Sequence, residues 1–331
     1  MICRLAVTCS LVAACNGTNR DVLTQTDASA TVDTPVQNNQ PWSVVTSVTT
    51  TDLYGVSGAS SSNALAVGGT PGNTSGNPGV AVRWDGTNWS VTPNLVNLLS
   101  VSGRTAVGEY GGEGSETFWN GASWSSREVL GAGSLRGTWE TSPGTYAVGD
   151  NGLLEYTSET GIPGGWGLAP SGTTNALHAV WGSSASDVFA VGAGGLILHA
   201  TNAGPGMTGT WVKTIQGSST LRGVWGSSAN DVYIVGEAPA VILHSTNGGA
   251  SWTSMAPPTS ALGLYAVGGR SASDLYAVGA TGGVIFHSSG NDAWTSETVP
   301  TTRDLYGVSV ATSGEAYAVG RGGTIVHKPA P

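Results

Sequence analysis

From residue 41 onward, short apolar runs alternate with clusters of Gly, Ser, Asn and Asp, and no stretch sustains a helical period. Apolar runs of four to six residues bounded by turn residues predict β-strands. The pattern also repeats. Its clearest copies are "LHAVWGSSASDVFAVGAGGLILH" (177–199), "LRGVWGSSANDVYIVGEAPAVILH" (221–244) and "LYAVGGRSASDLYAVGATGGVIFH" (264–287). The opening leucine recurs at Leu53, Leu98, Leu135, Leu177, Leu221, Leu264 and Leu305, at intervals of 45, 37, 42, 44, 43 and 41 residues. An Ala/Ile-Val-Gly tripeptide keeps the same phase, ending at Gly68, Gly108, Gly149, Gly192, Gly236, Gly279 and Gly320. Such a unit buries its apolar faces only by stacking on its neighbours.

Each unit reads as four short strands. In the fifth they are Leu221 to Val224, 231–235, 241–244 and a segment around the tryptophan of "SWTSM" (251–255). Four strands in about 40 residues make a β-propeller blade, so seven units predict an all-β, seven-bladed β-propeller of four-stranded blades over 41–331. Six of the twelve tryptophans, Trp89, Trp124, Trp166, Trp211, Trp252 and Trp294, fall on the fourth strands of units one to six. The seventh unit ends in "GGTIVHKPAP" (322–331) with no fourth strand, while Trp42 in "NNQPWSVV" (38–45) stands ahead of the first unit. The N-terminal strand around Trp42 is therefore expected to complete the last blade and close the ring.

The segment "STNGGASW" (245–252) resembles the Asp-box (BNR-type) turn of the sialidase-like repeat propeller superfamily, with Asn247 where an aspartate is usual. Shorter versions are "WDGTNW" (84–89) and "WNGASW" (119–124). An Asx side chain closing on local backbone and a glycine at φ > 0 give such a turn a structural role. The repeat is also similar to the photosystem II assembly factor family and to bacterial surface lipoproteins of unknown role. The resemblance implies a fold and leaves the chemistry open.

Twelve basic against twenty-one acidic residues give a net charge of −9, with no Lys/Arg run to follow a phosphate backbone; nucleic acid is excluded as an expected partner. The first fifteen residues, "MICRLAVTCSLVAAC", place one arginine ahead of an apolar run too short to span a bilayer, the form of a secretory signal over 1–14. All three cysteines, Cys3, Cys9 and Cys15, lie there, so cleavage leaves one thiol and no internal disulfide. Val12-Ala13-Ala14-Cys15 resembles the bacterial lipobox. That resemblance implies a lipidated Cys15, export, and an anchor at the outer membrane or cell surface (periplasm as the alternative). Residues 16–40 are polar and aperiodic and read as a tether with a reach of roughly 25–30 Å. The expected protein is a monomer that meets the membrane through its anchor only.

Candidate chemistry is sparse. His199, His244, His287 and His327 recur on predicted third strands. Strands about 4.8 Å apart would put neighbouring copies roughly 13–15 Å from one another, too far for one metal ion with ligands at about 2 Å; no metal or other cofactor is expected. Asp187, Asp231 and Asp274, each ahead of a second strand, read as turn caps. The residue after each opening leucine is more informative: Tyr54, Leu99, Arg136, His178, Arg222, Tyr265 and Tyr306. It begins the innermost strand, where neighbours lie about 6–7 Å apart. Six of these side chains are polar or aromatic, and their convergence makes a candidate ligand-binding ring. Trp139, Trp181 and Trp225, further along three inner strands, read as inter-blade core or as sugar-stacking platforms. The loop "GTPGNTSGNPG" (69–79) and the acidic "EYGGEGSE" (109–116) are expected on the ring's face.

The reading is a non-catalytic binding or assembly propeller for a protein or glycan partner. A lectin is the first alternative. A sialidase-like glycoside hydrolase is the second, weakened by the missing Arg-Ile-Pro motif and by the expectation that the ring holds no glutamate or aspartate.

Overall fold

The computed structural model describes residues 41–331 except 71–77, 111–112, 130–132, 143, 159–165, 204–208, 238, 262 and 291. The signal segment, Cys15, the tether and most of the 69–79 loop lie outside the described residues. The chain is all-β. Seven four-stranded antiparallel sheets are arranged as the blades of a propeller. Blade five runs Thr220–Ser228, Asp231–Glu237, Val241–Ser245 and Thr253–Met255, from the axis outward. Innermost strands of successive blades touch, and Leu53–Ser60 of blade one also touches Leu305–Val310 of blade seven. Among the described residues the helical elements are three 3-10 turns, Asp150–Gly152, Ala193–Gly195 and Arg321–Gly323.

One constraint recurs at every inner strand. Each opening leucine is fully buried and pairs with the glycine of the Ala/Ile-Val-Gly tripeptide, as Leu177 does with Gly192. The backbone of Gly192 is extended, with φ −166°, so space demands the glycine there. A Cβ at Gly192 would fall onto the carbonyl oxygen of Ala176, and each of the other six glycines faces the equivalent carbonyl. Immediately after the leucine the register slips, in all seven blades. In blade four the next pair is Ala179 with Val191, and His178 is left without a cross-strand partner. An extra residue of this kind bends the strand and re-aims its own side chain.

The seams between blades four to seven are built from one repeated stack. Phe189 lies flat on His199 with ring centroids 3.8 Å apart, and Tyr233 on His244 at 4.0 Å. Tyr276 and Tyr317 stack likewise on His287 and His327. Each imidazole Nε2 is held by an acid that opens or precedes the second strand: Asp187 and Asp231 at 2.7 Å, Asp274 at 3.2 Å, Glu315 at 2.6 Å. The three aspartates are thus more than turn caps; they fix the histidines on which the aromatic rings rest. The outer tryptophan of the following blade closes each stack edge-on, Trp252 on Phe189 and Trp294 on Tyr233 at 6.2 Å. Edge-to-face pairs add about 0.5–1.5 kcal/mol beyond their buried area.

Trp42 takes this same place. The outermost strand of blade seven is Ser43–Val44, antiparallel to Ile325–Lys328 with Ser43 opposite His327. Just ahead of it, Trp42 is 4% exposed and meets Tyr276 of blade six at 5.5 Å and 87°. Lys328 is fully buried beside it, its ammonium 3.1 Å from Glu297 Oε2 and over the rings of Trp42 and Tyr276. Trp139 and Trp181 also serve packing: their rings fill the space a Cβ would need at Gly182 and Gly226 of the next blade. Trp225 packs against the core shared by blades five and six.

Blades two and three meet differently. Glu116 and Glu155 are buried carboxyls on their third strands. Arg127 Nε donates to Glu116 Oε2 at 2.7 Å. Burial pushes the Glu116 carboxyl up to about 8, Arg127 opposing and Glu155 adding to the shift. Burial raises Glu155 as well. A carboxyl held protonated in the fold stabilises it fully below its unfolded pKa, near 4.5, and that contribution is lost as pH rises through about 8.

Trp42→Ala is expected to cost about 3–5 kcal/mol in chemical denaturation, the range for emptying a buried tryptophan site. Deleting 41–46 should lower the melting temperature, whereas deleting 18–38 should leave it unmoved; equal melting of both would contradict the assignment. Between pH 6 and 9 the wild type is expected to lose melting temperature, and Glu116→Gln to lose markedly less. Parallel pH profiles would show that the carboxyl pair does not titrate in this range.

Candidate functional site

The seven bulges all face the propeller axis, and together their side chains line one cavity of about 720 Å³. Ligand pockets commonly occupy about 300–1,000 Å³. All six candidate residues, Tyr54, Arg136, His178, Arg222, Tyr265 and Tyr306, are brought together there, with Leu99 as the seventh.

The ring has two unlike halves. On blades six, seven and one the tyrosines touch: Tyr265 meets Tyr306 edge-on at 5.5 Å, and Tyr306 stacks on Tyr54 at 5.3 Å. On blades three, four and five the side chains are Arg136, His178 and Arg222. Arg136 grips both carboxylate oxygens of Asp150, through Nε at 2.5 Å and Nη2 at 3.1 Å. Arg222 Nε donates to Glu237 at 2.7 Å, its Nη2 binds the same oxygen, and its Nη1 lies 3.4 Å from His178 Nδ1. Burial, reinforced by the charges of Arg222 and Arg136, lowers His178 to about 4, so its imidazole is neutral at physiological pH.

The acids correct one expectation. The ring positions carry no carboxylate, yet Glu109 and Glu237 line the cavity and Asp150 backs it. Each directly follows a tripeptide glycine, Gly108, Gly236 or Gly149, and so arrives from the opposite strand. Asp52 and Asp304, one residue ahead of Leu53 and Leu305, add carboxylates on blades one and seven. Glu109 also ties blade two to three, accepting from Asn97 at 2.9 Å and from the Ser134 hydroxyl at 2.5 Å. The signal that locates these acids is the residue after each repeated glycine, which varies around the ring as the bulged position does. Among the described residues no group of three or more His, Cys, Asp or Glu is placed to hold a metal ion.

No protein-family model matches the chain, and no curated protein does. Solved structures do. YCF48 bound to D1 peptide superposes with a TM-score of 0.65 at 17% identity, covering 89% of this chain and 98% of that one. The WD40 β-propeller domain of Doa1 gives 0.66 at 11%, covering 87% and 96%. The virginiamycin B lyase of Staphylococcus aureus gives 0.65 at 11%, covering 86% and 98%. At these identities the likeness establishes the propeller fold alone; one neighbour holds a peptide and another is a lyase.

The neutral histidine gives a direct check. The His178 ring resonances are expected to stay unshifted from pH 8 down to about pH 5, and Arg222→Gln to move the titration upward. A wild-type midpoint near 6.5 would contradict the described environment.

Proposed function

We propose that this chain is a non-catalytic binding propeller, held at a membrane surface by acylated Cys15 and its polar tether, that receives a protein partner at the mouth of the axial cavity. One observation carries the reading. Seven structurally equivalent positions in a strongly repetitive fold hold Tyr, Leu, Arg, His, Arg, Tyr and Tyr, all facing one cavity. Repeat packing would favour the same residue at every blade, as it does at the leucines and glycines. Binding of D1 peptide by the similar YCF48 propeller is a precedent for this use of the fold. A sialidase-like hydrolase needs arginines free to take a substrate carboxylate; here Arg136 and Arg222 are engaged by Asp150 and Glu237.

The test is surface crosslinking of the full-length chain in its native membrane, comparing wild type with the Arg136→Ala/Arg222→Ala double variant. A specific partner recovered with wild type and lost with the variant is expected. Equal recovery both with this variant and with Tyr306→Ala would overturn the ring as the binding site. Glycan-array binding lost in the same variant would instead identify a lectin, and chromogenic glycoside turnover a hydrolase. Cys15→Ser should release the protein from the membrane fraction; unchanged fractionation would remove the anchor from the account.

A further inference from the structure

The two halves of the ring differ in what they leave unsatisfied. Each arginine already has a carboxylate, and the histidine between them is neutral. The polar half therefore offers an incoming anion no uncommitted charge. The tyrosine half is the reverse. Tyr265, Tyr306 and Tyr54 form a continuous aromatic wall across three neighbouring blades. Carboxylates flank that wall. Tyr54 Oη lies 3.4 Å from Asp52 Oδ2. Asp304 stands two residues before Tyr306, and its Oδ1 accepts the Thr281 amide at 3.1 Å. Glu109 lines the cavity on blade two, next to the Tyr54 blade, whereas Glu237 is already taken by Arg222. Burial first, then nearby carboxylates, raises all three phenols above their ordinary value, and each presents a neutral ring.

Aromatic faces bordered by carboxylates attract organic cations, through the ring quadrupole and through charge. Among the described residues, cations already sit over Trp119, Phe118, Trp166, Trp42 and Tyr276, and over none of the three ring tyrosines. Arg321, on the blade-seven turn, opposes the carboxylates at Tyr306. The net charge of −9 favours approach of a basic partner.

We propose that the Tyr265–Tyr306–Tyr54 wall, with Asp52 and Asp304, is a seat for an organic cation, the guanidinium or ammonium of a basic side chain on the partner protein. This rests on the binding reading above and narrows it to one ligand chemistry. An Arg or Lys side chain enters along the axis, lies against the tyrosine faces and brings its charge to the carboxylates. The paired arginines opposite limit where a second cation can sit.

The test uses the full-length protein in detergent and a fluorescein-labelled Gly-Arg-Gly-Arg-Gly peptide, followed by anisotropy at low and at 0.5 M salt. A citrulline-substituted peptide, neutral and of the same shape, is the control. Saturable binding is expected, at least tenfold weaker for citrulline, at least fivefold weaker at high salt, and at least fivefold weaker in both Tyr306→Ala and Asp52→Asn. Asp52→Asn keeps an oxygen for the Gly322 amide that Asp52 now accepts, so it separates lost charge from lost folding; Tyr306→Phe should retain binding. Agmatine distinguishes the sources of the cation. Displacement only at concentrations far above the peptide's fits a protein-borne side chain, and displacement at equal concentration would overturn that assignment in favour of a free small amine. Equal binding of arginine and citrulline peptides, no binding of either, or tyrosine-dependent binding of sialyllactose in their place would overturn the cation seat. If crosslinking still captures a ring-dependent partner in that event, the binding reading survives and only this inference falls.

Discussion

The fold rests on a contact that permits no side chain. At the mouth of every blade, the glycine ending Ala/Ile-Val-Gly lies beneath the carbonyl of the residue before the opening leucine. That approach lets the leucine bury completely, and it coincides with the slip in register that follows. The slip yields one residue per blade with no cross-strand partner, facing the axis. Framework and site therefore come from one device: the glycine and the leucine stay constant, and the residue between the leucine and the resumed ladder is free to differ.

Around the rim, the blades are held by side chains that differ between the two sides of the ring. Blades four to seven share the stack of tryptophan, aromatic ring, histidine and acid. Blades two and three are joined by buried carboxyls and Arg127 instead. The seam between blades six and seven carries both an aromatic stack and the buried Lys328, paired with a half-buried Glu297. Removing Glu297 would leave the buried Lys328 ammonium without its carboxylate, which is strongly destabilising, although such a pair itself adds little net stability. Trp42 reaches this seam from a segment far away in the sequence, so the last stack is complete only when Ser43–Val44 pairs with Ile325–Lys328.

Much of this was legible in the sequence because the repeat keeps its phase. The leucines, glycines and outer tryptophans appear at matching places in successive units, and their count alone pairs Trp42 with the blade that lacks a fourth strand. The ring positions were legible for the opposite reason: Tyr54, Arg136 and their equivalents vary where their neighbours do not. The bulge that aims them was not, since a slip in pairing leaves no mark on a single strand. Glu109, Asp150 and Glu237 were missed because they lie on a different strand and meet the ring only once the register is known. The bonds from Asp187, Asp231 and Asp274 to histidines 12 or 13 residues on were hidden likewise, although each acid occurs only where its histidine does.

Space at the glycine, rather than its backbone freedom, sets the bulge and thereby the ring. The most direct measurement is the stability of Gly192→Ala by chemical denaturation. At an extended backbone such as φ −166°, replacing glycine by alanine without strain stabilises a protein by about 0.4–1 kcal/mol through the unfolded chain. Here the opposite sign is expected, a loss of at least about 1 kcal/mol as the new methyl group meets the Ala176 carbonyl. A variant as stable as the wild type, or more so, would contradict it.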